Sequence, residues 1–205
     1  MVEKNDFNMD TIHFSVLQEV GNIGAGNAVT SLSTMLGRKI DMSVPKVQFL
    51  SFKKVSDAIG GAENPLAAIL IHIDSKHVNG MMMFLLELSK SSVLISKLMQ
   101  REITELGEIE MSALKEIGNI LSGAYLGALS GLLGVGINMS TPSLAIDMAG
   151  SILSVPAIEF AKVADSVLFI ESVFASDEDN ISGYFVLIPD QASFKFIFNS
   201  LGVEI

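Results

Sequence analysis

The sequence predicts an α+β fold in which a unit of order α-β-α-β-β-α occurs twice. The copies are related by a pseudo-two-fold and share one six-stranded, largely antiparallel sheet with helices packed on it. Two observations lead there. Ser15, Glu19, Asn22 and Pro45 return as Ser112, Glu116, Asn119 and Pro142, each 97 residues on (112−15, for example). On the order of half of the positions between Ser15 and Pro45 are identical in the second copy. Hydrophobic spacing also switches from a helical period to a strand period at matching points in both halves. A third observation sets the organisation: 205 residues with no Pro/Ser-rich linker fit one shared core, a single domain over 1–205 built from repeats at about 11–101 and 108–201.

In the first copy, residues 1–10 are polar without a period and read as a frayed lead-in. Asp10 or Thr11 caps a helix that runs to about Leu36, with Gly37 as its stop, and Ile12, Val16, Val20 and Ile23 are expected on its apolar face. Lys39 to Ser51 alternates around β-branched residues and contains Pro45, so it reads as an edge strand or two short pieces broken at the proline. A short helix, Phe52 to Ile59, leads to the turn Gly60-Gly61. Strands then follow over Leu66 to Ile73 and Gly80 to Leu88, with a polar turn between them. Ser89 to Arg101 has helical spacing of Val93, Leu94 and Leu98, and Glu102 to Glu110 reads as an acidic joint.

The second copy repeats the order. It has a helix over Ser112 to Leu133, a strand near Ile137 to Ile146 and a helix from Met148 to Ala161. Strands Ser166 to Phe174 and Gly183 to Pro189 and a helix from Gln191 to Leu201 complete it. Gly183-Tyr-Phe-Val-Leu-Ile echoes Gly80-Met-Met-Met-Phe-Leu.

Charge and composition exclude several functions. A net charge of −10 and a pI near 4.6 argue against nucleic acid and anionic membrane surfaces, both of which call for a basic footprint. Without cysteine there is no disulfide framework and no thiolate metal site, and the N-terminus lacks a signal-peptide layout, so the expected compartment is the cytoplasm. Ile117 to Ile146 carries no charge, yet its Asn119, Asn138, Pro142 and many Gly and Ser argue against insertion in a membrane. His13, His72 and His77 lack metal-ligand spacing, so no metal site is expected on this chain.

The repeated motif carries the chemistry. Serine, glutamate and asparagine at i, i+4 and i+7 fall on one helical stripe, which Gly26 and Gly123 extend as bare backbone. Around the stripe the copies diverge, Gly24-Ala25 against Leu121-Ser122 and Asn27-Ala28 against Ala124-Tyr125, while Glu, Asn and Pro stay. A single Glu-x-x-Asn reads as solvated surface, and it is the duplication that argues for function. The glycines of Gly21-Asn-Ile-Gly24-Ala-Gly26 do not follow a phosphate-cradling order. No nucleophile with an activating base is apparent, which leaves activation of water by positioning. An asparagine amide, neutral at working pH, both accepts and donates hydrogen bonds and so suits that task.

These residues resemble the CheC/CheX/FliY phosphatases of bacterial and archaeal chemotaxis, whose motif reads acid or Ser, three residues, Glu, two residues, Asn, then Pro after a fixed gap. Both copies fit, over nearly the whole chain, and the likeness is greatest to the CheC branch. The resemblance implies a substrate, the aspartyl phosphate of the response regulator CheY, which brings its own Mg²⁺; no cofactor is implied on this chain. It implies that Asn22 and Asn119 orient the attacking water and that Glu19 and Glu116 pair with the regulator's lysine. Ser15, Ser112, Pro45 and Pro142 are implied as support. Serine where many relatives carry an acid is a departure from the pattern.

The resemblance also implies a partner, the receptor-modifying deamidase CheD. Asp147, Met148 and Ile152, in the charge-poor segment up to Phe160, are the expected surface for it, although the same segment also reads as an ordinary core helix. The alternative to an enzyme is an adaptor that binds CheD or docks at the flagellar switch, with the Glu/Asn stripes only holding the regulator.

Overall fold

The computed structural model describes residues 11–37, 39–43, 45–160, 167–176 and 179–202. The lead-in at 1–10 and the expected boundaries at Ala161 and Ser166 lie outside them. Helix α1, Thr11–Leu36, buries Leu17, Val20, Gly24, Ala28, Leu32 and Leu36 at steps of three or four, with Gly21 and Ala25 beside them, which keeps one face on the core. Gly37, at φ +62°, ends it in the left-handed backbone that glycine adopts without steric cost. The expected apolar face is corrected at Ile23, which is 41% exposed; the buried face lies round the helix from it, on the side that carries Gly21, Gly24 and Ala28. The side chains of Ile12 and Val16 lie outside the description.

The rest of the first half follows the expected order: β1 (Asp41–Met42), β2 (Lys46–Leu50), α2 (Phe52–Ala58), β3 (Pro65–Asp74), β4 (Asn79–Glu87) and α3 (Leu88–Met99). Helix α4, Glu108–Leu133, begins four residues before the expected Ser112. Glu108 and Glu110 lie in its first turn, where negative charge opposes the positive end of the helix dipole, so the acidic joint is partly helix. Glu110 is buried and ion-paired to Arg101 from just beyond α3, which ties the connection down. Then come β5 (Ser143–Met148), α5 (Ala149–Phe160), β6 (Val167–Ser176), β7 (Asp179–Pro189) and α6 (Gln191–Ser200). Strand β5 starts later than the expected Ile137, because before Pro142 the chain meets β3 only at a bridge between Ile73 and Met139 and through neighbouring hydrogen bonds.

Among the described residues all strand pairs are antiparallel, and seven strands fill six positions, since β1 and β2 both pair with β6 at one edge. Pro45, which has no N–H to give a ladder, stands in the break between them. The order is β1/β2-β6-β7-β4-β3-β5. It reads the same from either edge once each strand is exchanged for its counterpart in the other copy. The edge strands are crossed over: β2 pairs with β6, and β5 with β3, so each copy completes the sheet of the other. At the centre β4 meets β7, with Phe84 opposite Phe185 and their rings stacked at 4.7 Å. Gly80, the second residue of β4, stands at φ +146°, so close to the backbone of Ile188 and Pro189 that no side chain fits.

Both faces of the sheet are covered, which explains why Met81 to Leu86 is apolar without a break. Met82, Phe84 and Leu86 face a cluster with α1, α3, α4 and α6, while Met81, Met83 and Leu85 face a second with α2 and α5. No described helix is long and apolar enough to cross a membrane.

Candidate functional site

The two long helices carry the two stripes and pack against one another on the same face of the sheet. On α1, Ser15, Glu19 and Asn22 are exposed, and Gly26 beyond them faces open space. On α4, Ser112 and Glu116 are exposed and Asn119 is half-buried. The Ser112 hydroxyl donates to the carbonyl of Glu108 one turn back, at 2.8 Å. Helical geometry sets Glu and Asn of each stripe on adjacent turns, about 4.5 Å apart along the axis.

The prolines come back to these helices. Buried Pro45 lies beside Gly21: a Cβ there would sit 3.6 Å from Pro45 Cγ and 2.8 Å from Val47, so β2 rides on the turn between Glu19 and Asn22. Pro142 joins Ser112 in an open, largely polar groove between the start of α4 and the start of β5. The structure thus brings each proline to the helix of its own copy. Gly118, the counterpart of Gly21, is instead pressed against Ile69, with a Cβ there only 2.6 Å from Ile69 Cγ2. In the second copy, Met139 covers Gly123, 3.4 Å from where a Cβ would stand, so the bare patch after Asn119 is less open than that after Asn22.

The groove at the second stripe also contains Glu108, Met111, Lys115, Ser143 and Leu144, none singled out from the sequence. For Lys115 a signal existed: it stands three residues after Ser112 and four before Asn119, on the flank of the stripe. Of the residues expected at a partner surface, Asp147 and Met148 are exposed on the edge strand β5, where the Asp147 carboxylate accepts from the amide of Met148 at 2.7 Å. Ile152 is a correction: at 4% exposure it packs on the sheet from α5, and the outward apolar residues there are Val155 and Ile158, the latter 80% exposed. Among the described residues no group of three or more His, Asp or Glu is placed to hold a metal ion.

Comparison with known proteins adds the family. The CheC-like family matches residues 12–48 and 109–146, which are the two motif-bearing segments. The chain is 35% identical over 197 residues to the CheY-P phosphatase CheC of Bacillus subtilis, across 93% of this chain and 94% of that protein. The chain belongs to the CheC-like family. Among solved structures, this CheC-like chain is similar to FliY of Thermotoga maritima, with a TM-score of 0.74 at 25% identity over 95% of this chain and 98% of that one. It shares its fold with the FliM middle domain of H. pylori, with a TM-score of 0.67 at 12% identity over 92% and 98% of the two chains.

Proposed function

We propose that this CheC-like chain hydrolyses the aspartyl phosphate of a CheY-type response regulator. The observation that carries the reading is the twice-built Glu/Asn stripe, its glutamates exposed and each copy's proline folded back onto the same helix, in a chain so similar to a CheY-P phosphatase. Asn22 or Asn119 accepts a hydrogen bond from water and holds its oxygen in line with phosphorus. Water oxygen bonds to phosphorus as the bond from phosphorus to the aspartyl oxygen breaks; the carboxylate leaves, inorganic phosphate departs and the water's proton goes to solvent. Such a loose transition state asks mainly for alignment and charge stabilisation. Mg²⁺ belongs to the regulator and supplies part of that stabilisation. Glu19 or Glu116 pairs with the regulator's lysine and sets the helix across the phosphorylated site.

The decisive experiment incubates CheY charged by acetyl phosphate and Mg²⁺ with this protein at a small fraction of its concentration. Many turnovers per chain are expected. Consumption limited to one equivalent, or none, refutes the enzymatic reading and leaves an adaptor.

We further infer that CheD docks on the outward residues Met148, Val155 and Ile158, beside Asp147. The support is their exposure on an edge strand and the helix after it. Ile158→Glu is expected to weaken CheD binding at unchanged turnover; undiminished binding rejects this surface.

A further inference from the structure

The two stripes are not chemically equal, and the difference lies beside the motif. Lys115 lines the groove with Ser112 and Pro142 at the second stripe. Its counterpart in the first copy, 97 residues earlier (115−97), is Gln18, which is exposed and neutral. Among the described residues no carboxylate pairs with Lys115. The groove's own acid, Glu108, stands two turns back toward the start of α4, roughly 10 Å along the axis. Asn119 is one turn ahead, about 6 Å along the axis, within the span of a lysine side chain. In a chain of net charge −10, an unpaired cation held at a groove stands out against the general field.

We propose that Lys115 is a specificity-determining docking residue that makes the second stripe the tighter seat for the anionic, phosphoryl-bearing face of the substrate. This rests on the reading of the stripes as seats for a phosphorylated regulator. With Glu116 meeting a cation on the partner and Lys115 an anion, the second stripe reads two signs of charge. The first reads one. A charge pair of this exposure acts on docking and persists into the transition state, so it belongs in KM and not in kcat.

The test isolates the stripes. In a chain carrying Asn22→Ala, so that only the second stripe turns over, Lys115→Gln is expected to raise KM for phosphorylated CheY roughly threefold to fivefold at low salt, with kcat kept. Lys115→Arg restores the parent value, and high salt erases the difference. Conversely, Gln18→Lys in a chain carrying Asn119→Ala lowers KM. Affinity is measured in parallel with purified CheY held in the charged form by beryllofluoride and Mg²⁺, using a Glu19→Ala, Asn22→Ala chain. Binding weakened by Lys115→Gln in a chain that never turns over keeps the inference and refutes hydrolysis. Affinity and KM unmoved by Lys115→Gln, no binding at all, or a loss confined to kcat overturns the inference.

Discussion

The ring of Tyr125 on α4 lies against the backbone of Gly24 on α1, so closely that a Cβ at position 24 would stand 2.5 Å from its Cδ1. Where the copies diverge, they diverge to fit one another: the large residue of one copy sits on the missing side chain of the other. The ring cannot step aside, because it packs on Phe185 at 4.2 Å between centroids and its hydroxyl shares a 2.8 Å hydrogen bond with the buried Ser172 of β6. Gly24→Ala should therefore destabilise the fold by about 1–3 kcal/mol through overpacking, despite the better helix propensity of alanine. In a Tyr125→Ala background the same change should be neutral or stabilising by up to about 1 kcal/mol. Urea unfolding of the four proteins measures the cycle, and equal effects of Gly24→Ala in both backgrounds would reject the contact.

Tyr125 also makes a pH prediction. Burial pushes its phenol up to about 12, with the Ser172 hydrogen bond pulling the other way. The folded state thus holds its proton more tightly than the unfolded chain, whose tyrosines titrate near 10. The stabilisation is fully present below pH 10, and is lost at about 1.4 kcal/mol per pH unit as pH climbs toward 12. Tyr184 is raised as well, by burial first and then by the charges of Glu171 and Glu87, so only a difference isolates Tyr125. Tyr125→Phe, which leaves the Ser172 hydroxyl without this partner, should be less stable than the parent at pH 8. The gap should close as pH rises from 10 to 11, as read by denaturant titration. A constant gap counts against the assignment.

Ser122 offers a gain in stability. Its side chain is 0% exposed and its hydroxyl has no hydrogen-bond partner among the described residues, while the first copy places Ala25 at the corresponding position, 2% exposed. Ser122→Ala should stabilise the protein by about 1 kcal/mol, because a buried hydroxyl without a partner costs more than the cavity its removal leaves. A lowered midpoint in thermal or urea unfolding would show that the hydroxyl is satisfied in solution.

What could be read in the chain, and what could not, follows from which forces are local. Helix α1 and the strands β3 and β4 lie within a residue or two of their expected places, since period and turn chemistry are written in neighbouring residues, whereas β7 begins at Asp179, four residues before the expected Gly183. The start of α4 was hidden because Glu108 and Glu110 suit both a solvated joint and a helix's first turn. Ile23 and Ile152 exchanged roles, one outward and one inward, since adjoining turns of an apolar helix differ by only a fraction of a rotation and packing partners decide. The crossing of β2 to β6 and of β5 to β3 has no local signature at all: either half offers an equivalent edge. At the site, the stripes and prolines were legible by repetition. Lys115 was not, because repetition draws the eye to what the copies share and Lys115 matters where they differ.

The functional side chains should separate by when each acts. The amide's alignment of water counts only as the phosphoryl group departs, so Asn22→Ala with Asn119→Ala should lower kcat with little change in affinity for phosphorylated CheY. Each single Asn→Ala should leave activity, carried by the other stripe; loss of all turnover from one would make the second a relic. The glutamates are exposed before docking, so their ion pair forms on encounter and persists to the transition state. Glu19→Gln with Glu116→Gln should then mainly raise KM. If the docked pair is well desolvated, the contact is worth roughly 1.5–3 kcal/mol, or about tenfold to a hundredfold in binding. Salt should mimic the substitution, because a shorter Debye length weakens the parent's docking more than that of the double-Gln protein. Steady-state kinetics at low and high ionic strength decide the matter. Equal salt dependence in the two proteins, or a fall in kcat at constant KM, moves the glutamates from docking into the chemical step.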